Sequence, residues 1–374
     1  MSCSLDKGRV KICILTSVHP PFDVRIFHKQ AKTLIKAGYG VVLIAQHTKE
    51  ETVDGVKIVP LPKAKHRFER MTKVVWKLFR LALKEKANVY HFHDPELILI
   101  GVGLKLLGKK VIYDVHEDVP KDILAKDWAG NFMIRKTISF IFDGLERFSS
   151  VFFDSVISAT PDIAKKFNPT KTILLRNMPI LELIDTVKPA SRKRDKSIVI
   201  YAGGLSRVRG IKEIIQAMEL VKAKAELWLL GKWKSEEFKK QCEILEGWEY
   251  TKYLGYKEIE HVYSYMKNAN IGIVNFLPQP HNINSLPNKP FEYMACSVPI
   301  VMSNFPYWEE MFKGCAIFCN SQEPRDIAKK IDFLLAHPQE AERIGRSGRQ
   351  VILEKYNWEN ESKKLIKMYQ DLLK

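Results

Sequence analysis

The segment 286–303, LPNKPFEYMACSVPIVMS, contains the alternation of helix and buried strand from which the fold can be predicted. A Pro-Asn turn leads into a helix that opens with Phe291 and Glu292, and a turn of small residues at Ser297 precedes an apolar strand. The same alternation continues on both sides. Strand-like runs lie at 10–16, 40–45, 57–61, 89–93 and 110–115, and again at 197–203, 225–231, 271–276, 300–303 and 316–319. Strands that are apolar on both faces and are spaced by helices predict an α/β fold with parallel sheets of βαβ units.

The length and one polar stretch predict two domains. A chain of 374 residues is long for one core. The basic stretch 188–196 has no apolar run and is followed at once by a new buried strand, as expected of a linker. We therefore predict a first doubly wound domain at 1–180, a linker at 181–196, a second domain at 197–355 and a C-terminal helix at 356–374. In such sheets ligands bind outside the carboxyl ends of the strands.

The charge predicts a polyanionic partner without naming it. The formal net charge is +17, in a chain of globular composition with 46% hydrophobic and 28% charged residues. Nucleic acid, an anionic membrane face and phosphorylated small molecules all fit such a charge. No recognition helix, RNA-binding aromatic motif or basic tail favours nucleic acid. The sequence has no signal-peptide pattern and no uncharged apolar run of about 18 residues, and its six scattered cysteines favour reduced thiols in a cytoplasmic protein.

Two motifs in the second half have the chemistry of an anion site. The first, YAGGLSRVRG at 201–210, follows a strand, so Gly203 and Gly204 permit close backbone approach to a ligand while Arg207 and Arg209 supply charge for a pyrophosphate. The second is the helix start, where Lys289 adds charge and Glu292 could accept from a vicinal diol such as ribose. A plain helix terminus, with Glu292 favouring the dipole and Lys289 in solvent, explains the second motif equally well.

Two motifs in the first half place histidines and acids at strand ends. VYHFHDP at 89–95 contains His93 and Asp94, and VIYDVHEDVP at 111–120 contains His116 and Glu117. These are also metal-ligand types, but the alternation of side chains implies no tight ligand set beyond His91 and His93 on one strand face. A structural role is the safer interpretation for any single histidine here, whereas two such clusters at strand ends favour a functional one.

Two further segments carry candidate residues. In HPPFDVRIFHK at 19–29, Asp23 fits a helix cap, and Arg25 fits a ligand or ion-pair role because its charge opposes the helix dipole. In segment 67–86, Lys73, Lys77, Arg80 and Lys84 recur at helical spacing near Trp76. This segment predicts either a surface that lies on an anionic membrane or an ordinary solvated helix face.

Taken in order, HFHDPELI, VIYDVHED, YAGGLSRVRG, SLPNKPFEYMA and EKYNWENE resemble the family 4 retaining glycosyltransferases, in the branch that builds surface polysaccharides. The resemblance covers nearly the whole chain. It implies the GT-B fold, two Rossmann-like domains with the active site in the cleft between them, and the C-terminal helix crossing back onto the first domain. It also implies a hexosyltransferase-like enzyme (EC 2.4) that uses a nucleotide sugar, UDP- or GDP-linked, without cofactor or metal. The acceptor it implies is a glycan or a lipid-linked sugar at the inner face of the plasma membrane.

The resemblance also assigns residues. His116 matches the histidine near the reacting sugar, Arg209 the basic residue at the donor diphosphate, and Glu292 the second glutamate of the E-x7-E motif, which binds ribose. Lys289 lies in the sugar and phosphate loop. Asn284 replaces the first glutamate, and Gly204 stands where many relatives carry an arginine. Two other functions stay open: a GT-B sugar-nucleotide 2-epimerase, and a basic protein that binds membrane or nucleic acid.

Overall fold

The computed structural model describes residues 9–124, 130–191 and 195–374. The chain forms two compact units, one of Met1–Asn177 with Asn360–Lys374 and one of Met178–Glu359. Each unit is a twisted sheet covered by helices.

The first unit is built on an eight-stranded sheet in the order β3-β4-β2-β1-β5-β6-β7-β8. Its strands are β1 (Lys11–Leu15), β2 (Gly40–Gln46), β3 (Glu51–Val53), β4 (Val56–Leu61), β5 (Val89–Phe92), β6 (Lys110–Val115), β7 (Ser155–Ser158) and β8 (Thr172–Leu174). All neighbours are parallel except β3 and β4, which form an antiparallel hairpin. The hairpin departs from the predicted all-parallel sheet, because Asp54 and Gly55 both adopt positive φ, at 50° and 82°, and so close a tight turn.

The helices of the first unit follow its strands. They are a π-helical segment Val24–Ala31 continued by α1 (Lys32–Lys36), then α2 (Arg67–Glu69), a π-helical segment Arg70–Val74, α3 (Val75–Glu85), a 3-10 turn Pro95–Leu97, α4 (Ile98–Leu106), α5 (Val119–Leu124), α6 (Phe132–Ser150) and α7 (Pro161–Ala164). The buried residues of α3 and α4 share one core with alternate residues of the strands, including Cys13, Tyr90 and Tyr113.

The second unit is built on a six-stranded, all-parallel sheet in the order β11-β10-β9-β12-β13-β14. Its strands are β9 (Ser197–Ala202), β10 (Ala225–Leu230), β11 (Thr251–Gly255), β12 (Ile271–Val274), β13 (Ile300–Ser303) and β14 (Ile317–Cys319). Along β9, Ile198 and Ile200 belong to one apolar core and Val199 and Tyr201 to the other. Both faces of this sheet are therefore covered, as predicted for βαβ units.

The helices of the second unit are mostly short. They are α8 (Leu181–Thr186), a 3-10 turn Arg207–Arg209, α9 (Ile211–Leu220), α10 (Glu236–Glu243), a 3-10 turn Glu246–Tyr250, α11 (Ile259–Met266), α12 (Pro280–Ile283), α13 (Lys289–Ala295), α14 (Pro306–Met311), α15 (Pro324–Ala336) and α16 (Pro338–Glu354). The predicted linker 181–196 overlaps α8, whose Ile184 is buried in the core of this unit, and residues 192–194 lie outside the described part of the chain.

The last helix, α17 (Trp358–Leu373), carries the chain back into the first unit at Asn360. Its Leu365 and Tyr369 are fully buried. The Tyr369 hydroxyl lies 2.8 Å from Nδ1 of His91 on β5. This contact fixes the end of the chain beside the polar groups of the first sheet.

Candidate active site

Four histidines form a row that starts inside the first unit and ends near its surface. The ring centroids of His91 and His93 are 4.7 Å apart, those of His93 and His116 are 5.9 Å apart, and those of His116 and His19 are 5.2 Å apart. His91 and His93 are buried, whereas the side chains of His116 and His19 are 17% and 25% exposed. The structure thus joins three of the sequence motifs at the carboxyl ends of β1, β5 and β6.

Asp114 is the buried anion of this row. Arg25 donates to both of its oxygens, over 2.9 Å from Nη2 to Oδ1 and 3.3 Å from Nε to Oδ2, and the Gln30 amide donates to Oδ2 over 2.5 Å. Burial by itself would raise the pKa of Asp114, but the charge of Arg25 and the neighbouring histidines hold it well below its ordinary value. Of the ligand and ion-pair roles predicted for Arg25, the structure shows the ion pair.

The Asp114 carboxylate is also relevant to the alternative interpretation of this cluster as a metal site. The potential ligand atoms of His91, His93 and Asp114 all lie within 4.8 Å of one another. Arg25 already supplies a buried positive charge to both carboxylate oxygens, and a second cation at this point would be repelled by the guanidinium. The geometry therefore favours a structural ion pair here.

His93 has an unusual environment within this group. Neither of its ring nitrogens has a hydrogen-bond partner among the described residues, although Nδ1 lies 3.6 Å from Oδ2 of Asp114. Burial lowers the pKa of His93 well below its ordinary value, so the ring is neutral at physiological pH. His93 therefore adds a polar but uncharged group behind His116.

The surroundings of His19 and His116 shift their pKa values in opposite directions, although the two rings are in contact. Their Nε2 atoms are 3.3 Å apart. Burial opposes protonation of His19, but the nearby carboxylates of Asp23 and Asp94 raise its pKa above the ordinary value. Burial lowers the pKa of His116, against the attraction of Asp114. Pairs whose pKa values are pushed apart are typical of acid–base sites.

The remaining predicted residues of the first unit have mainly structural contacts. Asp23 caps the helix by accepting from the backbone N–H groups of Arg25 and Ile26. Asp94 is buried and accepts from Thr16 Oγ1 over 2.8 Å and from the Ser17 N–H over 2.5 Å, so it holds the loop after β1. Glu117 is exposed. Within the row of four histidines, His116 and His19 are the two whose side chains a ligand could reach.

A polar pocket of about 520 Å³ opens beside this loop in the first unit. Its walls are formed by the end of β2, by the loops that follow β1 and β4, and by the start of the helix after β4. It is lined by Val18, Gln46, Lys63, Ala64, His66, Arg67 and Arg70. Arg70 also pairs with Glu96 over 2.6 Å, and Glu96 accepts from the Ser17 hydroxyl. The pocket is therefore linked to the loop that carries His19.

In the second unit, Gly203 and Gly204 form a tight turn at the end of β9. Gly203 has φ of 157°, and its carbonyl oxygen packs so closely against Gly231 that a Cβ on Gly231 would lie 1.7 Å away. The Tyr201 hydroxyl donates to the Gly204 carbonyl over 3.0 Å. These contacts hold an open stretch of backbone rigidly at the strand end.

The two arginines of the glycine motif have different surroundings. Arg209 stacks on the ring of Phe276 at 4.0 Å, just after the neighbouring strand β12. Arg207 is exposed, stacks on Phe238 at 5.3 Å and donates to Gln241 over 2.7 Å. Neither forms an ion pair with any acid in the described part of the chain. Arg207 is thus engaged with α10, whereas the charge of Arg209 is uncompensated at the strand ends.

Lys289 and Glu292 come together on α13. The Lys289 ammonium pairs with Glu292, whose side chain is 14% exposed. Tyr293 anchors the helix, since its hydroxyl donates to the Ile200 carbonyl and accepts from the Ala202 N–H on β9. Helix α13 has only seven residues, so the predicted dipole contribution at its start is small beside the formal charge of Lys289. Asn284 is exposed at the end of α12.

Besides His19, which no prediction named as a site residue, three residues of these sites were missed by sequence reasoning. Asp114 lies in an apolar stretch and Gln30 among polar residues of the first helix, and the single signal was a charged residue inside the buried run VIYDV. The third is Lys234, an exposed lysine after β10 whose Cε lies 3.4 Å from where a Cβ on Gly204 would stand. A parallel bridge between Leu205 and Trp233 brings it there. No sequence pattern joins positions 30 residues apart in this way.

Comparison with known proteins agrees with this architecture. Residues 24–169 match the model of Glycosyltransferase Family 4, and residues 184–351 match that of the group 1 glycosyl transferases. A sucrose-phosphate synthase from Thermosynechococcus elongatus superposes with a TM-score of 0.77 at 19% identity, covering 98% of this chain and 99% of that one. The Anabaena protein HepE, solved with UDP and glucose, superposes with a TM-score of 0.71 at 12% identity over 97% of this chain and all of its own.

Two parallel-sheet units of this kind and these matches define a glycosyltransferase of the GT-B fold. Within that class, the chain belongs to the group 1 and family 4 glycosyltransferases. An uncharacterized glycosyltransferase of Methanocaldococcus jannaschii is 22% identical, with 96% of this chain and 98% of that protein covered. Throughout the described ranges, no helix is both long and apolar enough to cross a membrane.

Proposed function

We propose that the protein transfers a sugar from a nucleotide-sugar donor, which the second unit binds, to an anionic, lipid-linked acceptor that the first unit binds. The observation that carries this proposal is the surface around the Gly203–Gly204 turn, where Arg209 and Lys234 have no acid partner among the described residues. Open backbone next to two uncompensated cations fits a diphosphate, whose leaving-group charge grows during transfer.

The ribose end of the donor is assigned to Glu292. A carboxylate can accept from both hydroxyls of a vicinal diol, and Glu292 is held near the surface by its pair with Lys289. Displacement of that pair by a ligand would free the Lys289 ammonium for a phosphate oxygen. UDP-glucose is the first donor to test, because the HepE structure with a similar fold contains UDP and glucose.

The acceptor is assigned to the first unit. His116, which is partly exposed and has a lowered pKa, is the group proposed to lie at the reacting carbon, and beside it lies His19, whose pKa is raised. The polar pocket with Lys63, Arg67 and Arg70 fits an acceptor with a phosphate or diphosphate group. Such an acceptor in a lipid would place the enzyme on the inner face of the plasma membrane, in surface-polysaccharide synthesis. Retention of configuration is expected from the family.

One experiment tests the proposal as a whole. Purified protein is incubated with separate UDP- and GDP-sugars and a polyprenyl-phosphate-linked acceptor, with and without EDTA. Formation of a glycosylated acceptor and free nucleoside diphosphate in both conditions is expected. Interconversion of the nucleotide sugar without transfer would instead identify an epimerase, and failure to bind any nucleotide would refute the donor site.

A further inference from the structure

Helix α6 of the first unit buries polar residues and exposes apolar ones, which is the reverse of an ordinary surface helix in water. Its buried positions include Ser139, Glu146 and Ser149. Its exposed positions are dominated by large apolar residues, with exposed fractions of 79% for Phe140 and 66% for Phe148; the others are Phe132, Met133, Ile134, Ile138, Ile141 and Leu145. A surface helix in water normally turns its apolar stripe inward.

Specific contacts fix this orientation. The Tyr113 hydroxyl on β6 donates to Glu146 Oε1 over 2.7 Å, and the Ser139 hydroxyl donates to the Pro120 carbonyl over 2.8 Å. Rotating α6 to hide its apolar side would break both bonds and bury the opposite face. The outward apolar side is therefore a consequence of satisfied polar contacts on the inward side.

The neighbouring helices extend this apolar surface. The buried residues of α3 and α4 and the partly buried Phe142 of α6 belong to one core, so the three helices cover the same face of the sheet. On their outer sides Leu99 and Leu106 of α4 are 65% and 80% exposed, and Trp76 of α3 is 60% exposed. Large exposed apolar surfaces of this kind mark interaction sites.

The charges beside these residues point to one kind of partner. Five cations of this region are exposed: Lys77, Arg80 and Lys84 of α3, Lys73 of the π-helical segment before it, and Lys136 of α6. The acids nearby are engaged: Glu85 binds Lys11 and Lys57, Asp143 binds Arg147, and Asp154 binds Lys105. Apolar side chains among cations that form no ion pair within the described residues match an anionic bilayer surface, whereas a second copy of a chain with net charge +17 would be repelled.

We infer that the outer surface of α3, α4 and α6, here called the α6 face, docks on anionic lipid bilayers, with the apolar side of α6 inserted at the level between headgroups and acyl chains. The cations of α3 lie over the headgroups. This goes beyond the proposed function, since sugar transfer to a water-soluble acceptor analogue does not require the α6 face.

Vesicle co-sedimentation tests the inference on the full-length protein. The probes are vesicles of phosphatidylcholine alone and of phosphatidylcholine with phosphatidylglycerol, each at about 0.1 M and about 0.5 M salt. An insertion variant carries Phe140→Gln, Ile141→Gln and Phe148→Gln, and a charge variant carries Lys73→Glu, Lys77→Glu and Arg80→Glu. The control carries Ile244→Gln and Leu353→Gln, two exposed apolar residues of the second unit.

The native protein and the control are expected to bind the anionic vesicles equally. The insertion variant should lose about tenfold or more in affinity at both salt concentrations, because apolar burial is not screened by salt. The charge variant should bind the anionic vesicles more weakly than the native protein at low salt, and this difference should shrink at high salt. An unchanged unfolding transition of each variant, followed by circular dichroism, shows that the first unit is intact.

Equal vesicle binding by the native protein and the insertion variant would overturn the inference. So would native protein that ignores both vesicles but forms a dimer in analytical ultracentrifugation that the insertion variant cannot form, since the α6 face would then be an interface between two copies. Either result would leave the proposed sugar transfer standing.

Discussion

The Nε2 atoms of His19 and His116 lie 3.3 Å apart, and their surroundings move the two pKa values in opposite directions. At pH 6.5, which lies between the raised pKa of His19 and the lowered pKa of His116, His19 is mainly protonated and His116 mainly neutral. Between the two pKa values, an interval that includes the ordinary histidine value of 6.5, the pair of rings carries one proton. A proton acceptor and a donor are thus present together at the candidate site.

A bell-shaped dependence of transfer on pH follows from this pair. Activity should fall on the acid side as His116 becomes protonated below pH 6.5, and on the alkaline side as His19 loses its proton above pH 6.5. Transfer rates measured from acid to alkaline pH check this for the native enzyme and for His19→Ala. The variant should lose the alkaline limb of the profile, and an unchanged alkaline limb would remove His19 from the mechanism.

The Arg25–Asp114 pair should dominate the stability of the first unit's polar core. Asp114→Asn leaves the buried guanidinium without its counter-ion, which should cost about 3–5 kcal/mol in the free energy of unfolding. Asp162→Asn, at an exposed pair with Lys165, is the matched control and should cost at most about 1 kcal/mol. Denaturant titration followed by circular dichroism measures both.

The same pair has a pH signature. Because the folded pKa of Asp114 lies below its unfolded value of 3.8, its stabilisation is present above pH 3.8 and is lost as the pH falls through the folded pKa.

The double variant Arg25→Gln/Asp114→Asn should regain part of the stability that Asp114→Asn loses, since no buried charge is then left alone. A double variant that is less stable by the sum of the two single losses would show that the residues do not act as a pair.

Nucleotide affinity should separate the two arginines of the glycine motif. Arg209→Ala should weaken nucleoside diphosphate binding by the value of a charge-assisted hydrogen bond, about 1.5–3 kcal/mol, and Glu292→Gln by a similar amount. Arg207→Ala should have a smaller effect, because Gln241 and Phe238 already hold that guanidinium. Isothermal titration calorimetry with UDP and GDP measures all three. Equal losses for Arg207→Ala and Arg209→Ala would mean that Arg207 reaches the ligand after all.

Lys234 should substitute for the arginine that many relatives carry at position 204. Its Cε is in ordinary contact with the place where a Cβ on Gly204 would stand. Lys234→Ala should therefore weaken diphosphate binding, and adding Gly204→Arg to that variant should restore much of the affinity. Lys232→Ala, a neighbouring exposed lysine that stacks on Tyr256, is the control. If Gly204→Arg gives no recovery, the two positions do not serve the same phosphate.

The sequence predicted the fold well and the site only in part, for physical reasons. The apolar runs at 89–93 and 197–203 correspond to β5 and β9 because both faces of a buried parallel strand are apolar. The edge strands β3, β8 and β11 were not predicted, since an edge strand such as Glu51–Val53 is too short and polar to show a buried run. The interior strand β7, Ser155–Ser158, was also missed, because its four residues begin and end with serine. The Asp-Gly turn at positions 54 and 55 was the available signal for the hairpin.

Site residues were predictable where one motif holds them and not where the fold brings motifs together. Lys289 and Glu292 lie three apart on one helix and meet, as spacing implies. Arg25 and Asp114 are separated by 88 intervening positions and meet only because the first helix packs over the sheet. The contact of Lys234 with the glycine turn depends likewise on the pairing between the loops after β9 and β10.

We propose that the bond between sugar and nucleoside diphosphate is broken at His116 without a metal. The most direct test measures the release of nucleoside diphosphate from UDP-glucose and related donors. Native protein should release diphosphate in the presence of EDTA. His116→Ala should bind UDP normally but should form UDP from UDP-glucose about 10²–10⁴-fold more slowly. Equal release by the native protein and His116→Ala, or activity lost in EDTA and restored by magnesium or manganese, would contradict the account.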